Sequence, residues 1–168
     1  MWISRIEKIS PEDNEIIIET RSWGDLIVPP DKTFGFFLFG EILKLASKKK
    51  TFNAQLKKFL LAYELTGILE VPKSFEDIIQ WEIIEKGTYL WNENFGAFNP
   101  EIKEGKEANS CIGKITFIKK VDFSSFLTLE KEFIQFEACY FSIVEPNLKA
   151  SPKPSDNDLW PILIHKKN

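Results

Sequence analysis

From Phe34 to Ala46 the chain reads Phe-Gly-Phe-Phe-Leu-Phe-Gly-Glu-Ile-Leu-Lys-Leu-Ala, apolar almost all round. A segment without a polar face has to be enclosed, so the rest of the chain must build walls around it. Asp31 or Thr33 is placed to cap a helix there, and the second half of the run holds good helix formers. Gly35 and Gly40 each cost such a helix about 1 kcal/mol, but each also lets a neighbour approach closely. The expectation is a buried central helix. The alternative is that Phe34, Phe36, Phe37 and Phe39 line a ligand pocket. With 15 Phe, 5 Trp and 3 Tyr in 168 residues, rings must dominate the core and any contact surface.

The flanking sequence supplies the walls. Ile3, Ile6 and Ile9 lead into a turn at Ser10–Asn14, and Glu15–Thr20 is a β-branched strand. Arg21–Asp25 breaks it and Leu26–Val28 resumes, giving a hairpin or meander over residues 1–28. A second helix is expected from Asn53 to Leu65. There Phe52, Leu56, Phe59, Leu60 and Tyr63 share one face, and Gln55, Lys57, Lys58 and Glu64 point away. Thr51 or Asn53 is its N-cap and Gly67 its terminator. Ser74 with Asp77 imitates a capping box, and Gly87 follows, so Phe75–Lys86 is read as a third helix. The alternation of Ile79, Trp81 and Ile83 leaves a strand as the competing reading.

Residues 88–109 read as a long irregular region. Strands are expected at Ser110–Val121 and Phe133–Val144, and Pro146 stops the second. A proline-rich connector at 146–158 leads to a final strand, Leu159–His165, whose Pro161 suits an edge. Strands, then helices, then strands again specify an α+β fold. It is a mostly antiparallel sheet with two or three helices, within residues 34–86, packed on one face. The 168 residues are read as a single domain.

Chemistry is constrained by one residue. His165 is the only histidine, so Ser-His-Asp and Cys-His arrangements would all have to use it. No phosphate-binding loop is present, because Gly35 and Gly40 lack the Gly-Lys-Ser/Thr ending. Cys111 and Cys139 stand far apart, with no histidine near either in sequence. No metal site, cofactor or catalytic residue is therefore assigned, and both thiols are expected to be reduced and buried. No leader and no membrane-spanning run is read, which makes the cytoplasm the expected location. The one carboxylate picked out for possible enzymatic or small-ligand chemistry is Glu93, flanked by Trp91, Asn92 and Asn94. The alternative for that segment is a turn held by its asparagines.

Charge is more informative in its distribution than in its total of −3. Residues 1–31 hold seven acids against three bases, whereas Lys44–Lys58 holds six lysines and no acid. Two charged contact surfaces follow. The first is the acidic hairpin (Glu12, Asp13, Glu15, Glu19, Asp25), joined as a candidate by the aromatic loop with Trp91, Glu93, Phe95 and Phe98. The second is a helical elbow carrying Lys48, Lys49, Lys50, Lys57 and Lys58, the natural nucleic-acid contact. The negative total works against that second use.

In general make-up the chain resembles the small, intracellular, acidic α+β immunity and antitoxin proteins of bacteria, without sharing a specific motif. The resemblance implies an inhibitor that covers its partner's active site and needs no catalytic residue of its own. The leading expectation is thus a protein-binding module acting by steric and electrostatic blockade. The alternatives are a nucleic-acid binder through the elbow and a carboxylate enzyme or small-ligand binder at Glu93.

Overall fold

The computed structural model describes residues 2–22, 32–66, 70–91 and 105–135. Strands β1 (Trp2–Ser10) and β2 (Glu15–Ser22) form an antiparallel hairpin. Helices α1 (Lys32–Ala46) and α2 (Ala54–Thr66) come next, followed by a 3-10 turn at Lys73–Asp77. Strands β3 (Ile79–Trp91), β4 (Lys106–Phe117) and β5 (Phe133–Gln135) complete a five-stranded antiparallel sheet in the order β3-β4-β2-β1-β5. The fold is α+β, and both helices belong to the core on one face of that sheet.

That core is where the apolar run goes. Phe34 through Gly40, with Ile42, Leu43 and Ala46, are all buried in α1. The strands offer Ile6, Ile16, Ile18, Ile115, Phe117 and Ile134 from alternate positions, as a pleated sheet requires. Phe39 meets Phe75 and Phe117 edge-on, at ring-centre distances of 4.9 and 5.6 Å. The four phenylalanines of α1 are all buried within this core. Gly35 and Gly40 do admit neighbours: the Trp81 indole lies on the first and the Tyr63 ring on the second. The Tyr63 hydroxyl then donates to Glu41 Oε1 at 2.9 Å, tying α2 to α1.

Two expectations are corrected. Phe75–Lys86 is not a helix but a 3-10 turn running into β3. The Ser74–Asp77 signature makes no side-chain cap bond, and Pro72 takes the cap position. The strand wins because Ile79 and Trp81 point into the core while β4 satisfies the backbone alongside. Region 88–109 is also not irregular throughout, since β3 continues to Trp91 and β4 begins at Lys106. Gly87 pairs with Ser110 within that ribbon and terminates nothing.

Turn chemistry fixes the sheet's ends. Asn14 adopts the left-handed backbone (φ 59°) that asparagine tolerates. Its side-chain amide donates to the carbonyls of Phe117 (2.7 Å) and Lys119 (3.2 Å), clamping the hairpin turn to the end of β4. Of the other expectations, residues 23–31, 92–104 and 136–168 lie outside the described residues. These include Leu26–Val28, most of Phe133–Val144, the connector and the final strand.

Candidate interaction surface

The helical elbow is built by local hydrogen bonding. Lys48 N donates to Leu45 O (3.3 Å), Lys49 N to Ala46 O (3.0 Å) and Phe52 N to Lys49 O (3.1 Å). Asn53 then caps α2, its Oδ1 accepting from Leu56 N at 3.0 Å. Lys48, Lys50, Lys57 and Lys58 are exposed and Lys49 is half-buried. Among the described residues none of these five lysines pairs with a carboxylate. The outward stripe of α2 continues from Lys57 and Lys58 into Leu61 and Leu65, which are 51% and 85% exposed. Spacings of three and four residues put Lys58, Leu61 and Leu65 in one line.

The acidic hairpin divides in two. Glu15 and Glu19 lie on the face of the sheet away from the helices, where their charge is balanced. Glu19 pairs with Arg21 (2.7 Å) and Arg5 (3.4 Å), and Glu15 with Lys114 (3.6 Å). Lys114 also meets Glu82 at 2.8 Å, and Glu7 is held by Arg5 and Lys131. Glu12 and Asp13, by contrast, stand exposed at the hairpin tip, with Asp13 accepting from Ser10 Oγ at 3.1 Å. Arg21 lies over the Tyr89 ring at 4.9 Å. Burial drives the Tyr89 hydroxyl well above its ordinary range, against the opposing pull of that guanidinium.

Segments far apart in sequence meet at one end of the molecule. The hairpin tip is joined to the Ile118–Asp122 loop by the Asn14 amide and by Lys120 Nζ, which donates to Pro11 O. The same loop reaches the elbow, where Asn53 Nδ2 donates to Asp122 Oδ2 at 3.3 Å. Side-chain and backbone hydrogen bonds from Ser124, then that from Asn53, hold the Asp122 carboxyl below its usual range and keep it ionised. The Ile118–Asp122 loop therefore links the hairpin tip with Glu12 and Asp13 to the elbow with Lys48, Lys49 and Lys50. The sequence reading carries the strand Ser110–Val121 through this segment, but β4 ends at Phe117 and Ile118–Asp122 is a loop. Its signal was the Lys119–Lys120 pair directly after an apolar strand.

Trp91 ends β3, while Asp25, Glu93, Phe95 and Phe98 lie outside the described residues. Cys111 is buried on the helix side of the sheet beside Thr20, and burial followed by the Glu19 charge pushes its thiol up to about 11. A thiol held protonated in this way is a poor nucleophile. Among the described residues no helix is long and apolar enough to cross a membrane. No protein-family model, curated protein or solved structure matches this chain.

Proposed function

We propose that the protein is a binding module that blocks a partner protein by steric and electrostatic occlusion, docking through the end that carries the elbow and the hairpin tip. The observation that supports this most directly is the meeting, on one hydrogen-bonded surface, of charges of both signs that make no ion pair among the described residues, with the exposed Leu61 and Leu65 continuing along α2 from Lys57 and Lys58. A two-signed surface selects the orientation of an incoming protein and speeds encounter. The partner presents acids to Lys48–Lys50, Lys57 and Lys58, and an apolar patch to Leu61 and Leu65. A phosphate backbone fits this end less well. It gains from the lysines but is repelled by Glu12 and Asp13, and it leaves the leucines wet.

The test is a capture from source lysate at low and high salt, using the wild-type protein beside a Lys48→Glu/Lys50→Glu/Lys57→Glu/Lys58→Glu variant. All four sites are exposed, so the variant should melt with the wild type. The expected result is one stoichiometric protein retained by the wild type and lost from the variant. Equal capture by both would remove the elbow from the interface. Nucleic acid in place of protein would replace this reading.

A further inference from the structure

We propose that the outer edge of β3 accepts an extended segment of a partner chain, one that alternates basic and apolar residues. The inference is independent of the elbow and concerns a different part of the surface. Strand β3 is 13 residues long and lies at the edge of the sheet that the described residues form. Ile118 N donates to Ile78 O at 2.9 Å, so the Ile78 carbonyl points toward β4, while its N–H is held by Phe75 O at 3.1 Å. Antiparallel alternation then turns the main-chain N–H and C=O of Ile79, Trp81 and Ile83 outward. Among the described residues these groups meet no backbone partner.

Edge strands are usually blunted by proline, lysine or a covering element. The stretch Ile79-Gln-Trp-Glu-Ile-Ile-Glu85 contains neither residue type, and only the bulge between Ile83 and Glu85 interrupts its register. Beside the edge lies a hollow of about 380 Å³, lined by Ile79–Glu82 with Lys32, Glu76 and Thr116. Added strands take their affinity from main-chain bonds and their specificity from the positions of alternate side chains.

Those positions define the occupant. Glu82 and Glu85 share the sheet face that carries Lys114 and Ile112, whereas Ile79, Trp81 and Ile83 belong to the other face. Glu85 is exposed and without an ion pair among the described residues. An incoming strand therefore sets Lys or Arg against Glu85 and against Glu82, which already meets Lys114, and apolar side chains on the face of the half-buried Trp81 and Ile83. A second copy of this chain is the wrong occupant. Two β3 edges paired with their faces matched would bring like charges onto the same side.

Amide hydrogen exchange with synthetic peptides of about eight residues tests this. A Lys–Val alternating peptide should slow exchange at Ile79, Trp81 and Ile83, and a Glu–Val peptide should bind at least about tenfold more weakly. Ile83→Pro removes an outward N–H while leaving the β4 bonds, so it should abolish protection at an unchanged melting temperature. Glu85→Lys, at an exposed site, should weaken binding of the Lys–Val peptide even if the proline variant fails to fold. Absence of protection at saturating peptide, or equal binding of both peptides, overturns the proposal. Concentration-dependent protection of the same amides without peptide also overturns it, in favour of a second copy.

Discussion

Trp81 owes its place to two residues that have no side chain. A Cβ on Gly35 would fall 2.2 Å from the indole, and one on Gly113 would fall 2.0 Å from its far edge. The ring therefore occupies space that any other residue would fill, on both the helix and the sheet. Gly113→Ala should cost about 1–3 kcal/mol by overpacking, read as a lower urea midpoint. Gly87→Ala, whose nearest neighbour would be Ser110 Oγ at 3.4 Å, is the matched control and should change little. The sequence announced that Gly35 and Gly40 would admit neighbours. It could not name Trp81 and Tyr63, because both contacts join segments separated by more than twenty residues.

At the scale of elements, α1, α2, β1 and β2 were legible because each carries its own signals: an unbroken apolar run, an amphipathic face, a β-branched hairpin. Asn53 illustrates a local signal with a distant consequence. It caps α2 and also holds Asp122, so Asn53→Ala should cost about 1 kcal/mol through the cap. The same substitution should speed amide exchange in the elbow, measured against the middle of α2. β3 was not legible. Ser74, Asp77 and Gly87 suggested a helix, and the alternation of Ile79, Trp81 and Ile83 suggested a strand. Only the presence of β4 alongside decides between them, through main-chain bonds that no local propensity encodes.

Across the whole molecule the two faces of the sheet divide the work. One face meets the helices through apolar side chains, and the other carries an ion network from Lys131 through Glu7, Arg5 and Glu19 to Arg21. Burial alone would raise the Glu7 carboxyl, but the hydrogen bonds from Lys131 and Arg5 outweigh it and leave the group below its ordinary 4.5. A carboxyl depressed on folding stabilises the native state above its unfolded value and loses that contribution as pH falls through the folded one. Urea stability should therefore decline below about pH 4.5, and Glu7→Gln should flatten part of that slope.

A phenylalanine-rich helix buried under an antiparallel sheet, and the positions of the two charged segments, were readable from the order of residues alone. Periodicity and composition suffice for that, because hydrophobic burial depends on pattern more than on partner. Which charges find a partner among the described residues follows from tertiary contacts alone. Glu19 is held by Arg21 on its own strand and by Arg5 on the next, and Glu15 by Lys114, whereas Glu12, Asp13 and the elbow lysines are linked through Asn14, Asn53 and the Ile118–Asp122 loop. Ion pairing acts over a few ångströms, and distance along the chain says little about distance in space.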